Sequence, residues 1–219
     1  MQKQLMQRGK FITFDGSEGC GKSTQIERFV SALGEQGVKV IQTREPGGTV
    51  IGEKIRHLLQ FDPEAAGLSD ESELLLFAAS RAQLVRSVIE PALEAGEWVV
   101  ADRFLDSTAV YQGVGRGLDL DAVKAVNSFA VGETMPDLTF LLDLDVEIGH
   151  ARAVAASGGK QDRMESQPLE FFEKVRAGYL ALAEGEPDRI ALIDASKSID
   201  EVTEEIAGVF ESRMGKVES

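Results

Sequence analysis

The sequence predicts a three-layer α/β fold, in which a five-stranded parallel sheet is flanked by helices on both faces. Short apolar, β-branched runs alternate along the chain with longer segments of helical periodicity. Each short run is apolar throughout, as in strands that are buried on both faces. Neither an internal repeat nor a linker-like stretch interrupts the 219 residues, so we expect one domain over residues 1–219.

Five predicted strands make up the sheet. Each is rich in valine, isoleucine, leucine, phenylalanine or tryptophan, and the intervals between them leave room for crossover helices. The strands cover residues 11–14, 38–43, 98–101, 138–142 and 190–193.

Helices are predicted for the intervals. The first covers residues 22–36, with Ile26 and Phe29 on its inner face, and Gly37 stands where a helix ends. Ser69 or Asp70 is expected to cap a long helix that Pro91 kinks or restarts. The remaining predicted helices cover residues 50–60, 107–112, 119–131, 146–156, 169–184 and 199–213.

Composition excludes several classes of protein. The chain has 23 Lys and Arg against 37 Asp and Glu, a net charge of −14, which disfavours a nucleic-acid partner because phosphate backbones bind a basic face. A single cysteine, Cys20, cannot form a disulfide within the chain and fits a reducing compartment. The sequence lacks a membrane-length apolar run and begins with polar residues, so we expect a cytoplasmic protein without a membrane partner.

A phosphate-binding motif follows the first predicted strand. Residues 16–23 match GxxxxGK[ST], and a helix is predicted directly after them. The glycines let backbone N–H groups turn towards an anion, and the helix N-terminus adds partial positive charge. Lys22 can reach the β- and γ-phosphates, and the Ser23 hydroxyl can bind Mg²⁺. The predicted phosphate-binding residues are Gly16, Ser17, Glu18, Gly19, Cys20, Gly21, Lys22, Ser23 and Thr24.

The motif implies ATP or GTP but leaves the fate of the terminal phosphate open. The NKxD and DxxG motifs of GTPases do not occur in the sequence. A small phosphotransferase remains, and such an enzyme needs an acceptor pocket and a lid that keeps water from taking the phosphoryl group.

Two segments are candidates for the acceptor pocket. Arg44 and Glu45 follow the second strand, at the sheet edge where open α/β proteins bind ligands. Arg56, on the next helix, could hold a phosphate, although taken alone it is expected to be solvated. Phe77 and Arg81 are i and i+4 on one helix and suit a flat nucleobase. A core phenylalanine beside an exposed arginine is the alternative.

A third candidate segment follows the third strand. Asp102 can hold Mg²⁺ or its water shell, and Arg103 is placed to neutralise an acceptor phosphate. Thr108, Tyr111 and Gln112 share one helical face of hydrogen-bonding groups, unless they form an ordinary amphipathic turn.

From about Lys10 to Phe210 the chain resembles thymidylate kinases. The resemblance is carried by the order and spacing of FDGSEGCGKST, TREPGGT, FAASRAQ, DRFLDSTAVYQGVGRG and LIDASKSIDEV. The resemblance implies the fold of P-loop nucleoside-monophosphate kinases. It also implies an enzyme, usually a homodimer, that transfers the γ-phosphoryl group of ATP to dTMP with Mg²⁺.

The resemblance also implies residue roles. Phe77 would stack on thymine, and Arg81 would bond a thymine carbonyl, while Thr108 and Gln112 would read the polar edge of the base. Tyr111 would close the space beside the sugar 2′ carbon. The acceptor phosphate would be held by arginines 44, 56 and 103, with Glu45 beside them, and Glu18 would bond the sugar 3′-hydroxyl. Ser23 and Asp102 are the expected metal contacts, and Lys22, Asp102 and Arg103 are expected to be catalytic.

A short lid is expected at about residues 157–166. The phosphate loop contains no arginine, as in bacterial-type thymidylate kinases, and the resemblance implies that a basic lid residue stabilises the transition state instead. Arg163 is the first candidate because of its Asp-Arg-x-Glu context, and Lys160 is the second. Arg152 serves the same purpose or simply lies on its helix face.

Two alternative functions stay open: another nucleoside or nucleoside-monophosphate kinase of this fold, and a non-catalytic nucleotide-binding switch.

Overall fold

A parallel sheet forms the centre of the protein. The computed structural model describes residues 8–159 and 161–215. The five strands run parallel in the order β2-β3-β1-β4-β5, which confirms the predicted fold class. The strands are β1 (Phe11–Gly16), β2 (Val40–Arg44), β3 (Trp98–Asp102), β4 (Leu138–Asp143) and β5 (Ile190–Asp194).

Helices cover both faces of the sheet and connect its strands. Within the described residues they are α1 (Lys22–Glu35), α2 (Val50–Gln60), α3 (Asp70–Leu84), α4 (Glu90–Glu94), α5 (Leu105–Thr108), α6 (Leu120–Val131), α7 (Val146–Ala156), α8 (Leu169–Gly185) and α9 (Ile199–Met214). Ser69 caps α3 by accepting a hydrogen bond from the Ser72 N–H, as one of the two sequence alternatives proposed.

Two of the predicted helices contain π-helical stretches that the sequence did not predict. The long helix restarts at Pro91, as one of the two sequence alternatives proposed: a π-helical stretch, Val85–Ile89, follows α3, and Pro91 then lies in the first turn of α4, a position that tolerates proline. The predicted helix 107–112 is α5 followed by a second π-helical stretch, Ala109–Gly115. Stretches of this kind are frequent at functional sites.

Aromatic packing fixes the central strand. Phe14 on β1 packs against Phe140 on β4 and Phe29 on α1, with ring centroids 5.1 and 5.5 Å apart. On the other face Phe11 meets Phe104, with ring centroids 4.9 Å apart. Such pairs add to the stabilisation from buried area. Together they hold the carboxyl end of β1, where the glycine-rich loop begins. No helix among residues 8–159 and 161–215 has the length and apolar character of a membrane span.

A buried carboxyl group ends β1. Asp15 accepts hydrogen bonds from the hydroxyl groups of Ser107 and Tyr179. Its neighbour Asp106 is bound by Arg189 at 2.7 and 2.8 Å. Burial is the larger cause, and the negative charge of Asp106 the next, of a rise in the pKa of Asp15 to about 7.

The raised pKa makes the stability of the fold depend on pH. The folded state holds a proton on Asp15 that the unfolded state releases above about pH 4. The stabilisation from this proton is complete at low pH and is lost as the pH rises through about 7. Asp15→Asn removes the dependence, so its unfolding free energy relative to wild type should rise by about 2 kcal/mol between pH 5 and pH 8.

Urea unfolding at the two pH values measures this change. The exposed Asp188 supplies a matched control, and Asp188→Asn should differ from wild type equally at both. An Asp15→Asn difference that stays constant with pH would contradict the assignment.

Candidate active site

A cleft of about 520 Å³ opens at the carboxyl edge of the sheet. Its walls come from the loop after β1, the ends of β2 and β3, and helices α2, α3, α5 and α7. Most residues predicted from the sequence meet here. Those that line the cleft are Glu18, Gly19, Gly21, Lys22, Ser23, Thr24, Arg44, Glu45, Arg56, Phe77, Arg81, Asp102, Arg103, Thr108, Tyr111 and Gln112.

The glycine-rich loop joins β1 to α1 in a shape that needs its glycines. At Gly19 φ is +69°, and an added Cβ would lie 2.0 Å from the carbonyl oxygen of Gly149. Gly21 precedes α1 and has no side chain that could accept a hydrogen bond. The first N–H groups of α1 therefore have no side-chain cap and can bind an anion. The Lys22 Nζ donates to the carbonyl oxygens of Gly16 and Ser17 at 3.1 and 2.9 Å, which keeps its charge at the loop.

Arg103 connects the loop to the third strand. Its φ of +69° is a strained conformation for a residue other than glycine, and such strain concentrates at functional sites. The guanidinium group donates to Glu18 at 2.6 Å and to the Gly16 carbonyl at 2.9 Å, and it lies over the Tyr111 ring. Burial alone would raise the pKa of Glu18, but the charges of Arg103 and Lys22 outweigh it and lower the pKa.

Arg81 is the most enclosed cation of the cleft. It is 1% exposed, so the alternative of an exposed arginine on this helix is wrong. Its donors meet Glu45 at 2.8 Å, Asn127 at 2.7 Å and Thr108 at 2.8 Å. Burial raises the pKa of Glu45, although Arg81 opposes the change. Phe77 is partly exposed in the cleft, which suits a stacking surface better than a core position.

Arg44 and Arg56 form the outer wall. Arg44 pairs with Glu53 at 3.1 Å, and Arg56 donates to the Pro46 carbonyl oxygen at 3.0 Å. Burial, and then the positive charge of Arg44, lowers the pKa of Arg56. The Arg56 side chain lines the cleft and is only partly exposed, which is compatible with the phosphate-binding role that the resemblance implies.

Oxygen donors suited to Mg²⁺ lie where β3 meets the loop. The Oδ1 atom of Asp102 is buried and has no hydrogen-bond partner among the described residues, and the Ser23 side chain lines the same cleft. Mg²⁺ prefers hard oxygen ligands and keeps several waters or phosphate oxygens. Residues 8–159 and 161–215 contain no group of three or more His, Cys, Asp or Glu side chains that could hold a metal ion.

The three candidate lid cations differ in their position relative to the cleft. Arg163 does not line the cleft, because it pairs with Glu73 at 2.6 Å and donates to the Leu59 carbonyl oxygen at 2.8 Å. Arg152 on α7 does line it, although the sequence left that residue as a candidate for a plain helix surface. Lys160 lies outside the described residues.

Several residues that shape the site were missed by the sequence analysis. Asn127 on α6 holds Arg81, and no local pattern marks it. Tyr179 on α8 bonds Arg103 at 3.2 Å from 76 residues away. Glu73 is buried on α3 beside Gln112 and Arg116. Glu73 could have been found from the sequence, because positions 73, 77 and 81 repeat every four residues and so share one helix face.

Comparison with known proteins agrees with this geometry. A family profile described as thymidylate kinase matches residues 14–206. The chain is 48% identical over 210 residues to the thymidylate kinase of Geobacter sulfurreducens, covering 94% of this chain and 98% of that protein. It is 49% identical over 204 residues to the enzyme of Solidesulfovibrio magneticus, covering 91% and 97%.

A solved structure is similar over the same extent. The crystal structure of thymidylate kinase from Ehrlichia chaffeensis superposes with a TM-score of 0.77 at 35% identity, over 93% of this chain and 99% of that one. Sequence and structure therefore agree with the resemblance read from the motifs, and the chain belongs to the thymidylate kinase family.

Proposed function

We propose that this chain transfers the γ-phosphoryl group of ATP to dTMP and releases dTDP and ADP. One observation carries the proposal: a glycine-rich phosphate loop and a pocket of one aromatic ring and several arginines line the same cleft. A phosphoryl donor and a nucleoside-monophosphate acceptor can meet there. Membership of the thymidylate kinase family supports thymine as the base of the acceptor.

The donor side uses the loop after β1. Backbone N–H groups of residues 16–23 and the N-terminus of α1 would surround the ATP phosphates. Lys22 would exchange the carbonyl oxygens of Gly16 and Ser17 for the β- and γ-phosphates. Ser23 and Asp102 would hold Mg²⁺, which supplies charge neutralisation for the phosphates when it is bound.

The acceptor side uses the arginine-rich wall. Arg44, Arg56 and Arg103 would hold the phosphate of dTMP, with Glu45 fixing the neighbouring Arg81. Phe77 would stack on thymine. Arg81, Thr108 and Gln112 would face the polar edge of the base, Tyr111 would lie beside the sugar 2′ carbon, and Glu18 would exchange part of its contact with Arg103 for the 3′-hydroxyl.

The reaction needs little covalent chemistry from the protein. An oxygen of the dTMP phosphate attacks the γ-phosphorus in line, and the bond from that phosphorus to the β–γ bridging oxygen breaks. The attacking oxygen is already anionic, so no general base is required. Catalysis comes from positioning and charge neutralisation by Lys22, Arg103 and a cation from the α7 side, where Arg152 is best placed.

We also propose that the chain forms a homodimer through α3 and α6, which pack side by side. Phe129 on α6 is 89% exposed and Leu75 on α3 is 57% exposed, so this face carries apolar surface that a second copy would cover. Light scattering should give the mass of two chains, and Phe129→Glu should give one. A wild-type monomer at micromolar concentration would contradict the dimer.

A cytoplasmic location is likewise proposed. Cys20 is a buried free thiol, which suits a reducing compartment.

Turnover across nucleoside monophosphates tests the function directly. We expect ADP release with Mg²⁺ and ATP to be faster with dTMP than with dCMP or AMP, because the pocket presents donors and acceptors to a pyrimidine carbonyl edge. A coupled ADP assay measures it. Turnover of another monophosphate or of thymidine without dTMP would assign a different kinase, and ATP binding without any turnover would indicate a nucleotide-binding switch.

Lys22→Ala tests the phosphate loop. The rate should fall by roughly 100-fold or more, because a charge at the transferring phosphoryl group is lost. Thermal unfolding should show that the variant remains folded. The exposed Lys174 gives a matched control, and Lys174→Ala should keep the wild-type rate. Wild-type turnover by Lys22→Ala would refute the loop assignment.

A further inference from the structure

A buried carboxylate lies behind Gln112. The side chain of Glu73 on α3 is 2% exposed and lies outside the lining of the cleft. Three side chains contact it: Gln112 and Arg116 from one stretch of the chain, and Arg163 from another. Gln112 Nε2 donates to Oε1 at 2.9 Å, Arg116 Nη2 donates to Oε2 at 3.2 Å, and Arg163 Nη2 lies 2.6 Å from Oε2.

The carboxylate is held in its ionised form. Burial alone would raise the pKa of Glu73, but hydrogen bonds from Arg116 and Gln112 and the charges of Arg116 and Arg163 lower it. An ionised carboxylate only accepts hydrogen bonds, so the Gln112 atom that faces it must be the amide nitrogen. The amide oxygen and the second amide hydrogen are then the groups that Gln112 can offer to the cleft it lines.

That orientation distinguishes pyrimidine bases. Thymine presents an N3–H donor between two carbonyl oxygens, which matches an amide oxygen next to an amide hydrogen. Cytosine has an acceptor at N3 and an amino group at C4, so the same amide would face it with like groups. A fixed amide can therefore discriminate the two bases, whereas an amide free to turn cannot.

We propose that Glu73 is a positioning residue that fixes the amide orientation of Gln112 and so sets a preference for thymine over cytosine. The inference rests on the proposed function, because it requires that Gln112 faces the base of the acceptor. Arg116 and Arg163 contribute by holding the carboxylate in place. Arg116 also lies over the Phe171 ring, 5.0 Å from its centroid, which fixes the guanidinium group in turn.

Glu73→Gln tests the orientation with little change in shape. The substituted side chain has one carbonyl oxygen, which the two guanidinium groups would take, so its amino group would face Gln112. Gln112 would then have to turn its own oxygen away from the cleft. We expect the KM for dTMP to rise roughly tenfold or more, and the ratio of kcat/KM for dTMP to that for dCMP to fall by a similar factor. The KM for ATP should stay within about twofold of wild type.

Two further variants separate positioning from packing. Glu73→Asp keeps an acceptor-only carboxylate, so the dTMP to dCMP ratio should stay within about threefold of wild type even where KM rises. Asp70→Asn is the matched control, because Asp70 Oδ1 approaches Arg116 Nε at 3.5 Å and belongs to the same helix, but it has no hydrogen bond to Gln112. It should retain wild-type kinetics.

The outcomes are distinguishable. A wild-type ratio in a folded Glu73→Gln protein would overturn the inference and leave the proposed function standing. Equal loss of selectivity in Glu73→Gln and Glu73→Asp would overturn it too, because it would indicate packing alone. Failure of the wild-type protein to phosphorylate dTMP would overturn the proposed function and the inference together.

Solution NMR of the wild-type protein tests the orientation of the Gln112 amide directly. The side-chain amide protons of Gln112 can be assigned by their loss in Gln112→Leu. One of them should resonate downfield and exchange slowly before any nucleotide is added, as expected for a proton bound to a buried carboxylate. Two amide protons that behave like those of a solvated glutamine would overturn the inference.

Discussion

Three arginines around the cleft are each bound to a carboxylate from another part of the chain. Arg103 after β3 meets Glu18 in the loop after β1, and Arg81 on α3 meets Glu45 after β2. In the third pair, Arg116 beyond the π-helical stretch meets Glu73 on α3. Buried charges are stable only when they are paired, and removing one partner of such a pair typically costs about 3–5 kcal/mol. These pairs therefore hold the walls of the cleft in one geometry before a ligand arrives.

The same pairing explains how a chain with a net charge of −14 can accommodate two anionic nucleotides. Positive charge is concentrated at the carboxyl edge of the sheet, in the lysine of the loop and the arginines of the wall. The acidic partners lie mostly behind or between these cations, where they orient them. Most other acidic residues are exposed and keep the protein in solution without facing the cleft.

The sequence predicted what depends on local pattern, and the structure was needed for what depends on distant contacts. Strand order at the edge of the sheet follows from parallel topology, so the meeting of Lys22, Arg44 and Asp102 in one cleft was predictable. The position of Arg163 could not be predicted from the sequence, because its pairing with Glu73 joins residues 90 positions apart. The π-helical stretches were missed for a related reason, since the helical period alone does not distinguish them from an α-helix.

Binding of a bisubstrate analogue tests the central claim that one preformed cleft holds both nucleotides. The probe is a molecule in which adenosine and thymidine are joined through a chain of phosphates, and isothermal titration measures its affinity. We expect one site per chain, competition with both ATP and dTMP, and an affinity at least about 100-fold tighter than that of either nucleotide, because the second half binds without a new loss of translational freedom. An affinity no tighter than that of ATP alone, or competition with only one nucleotide, would contradict it.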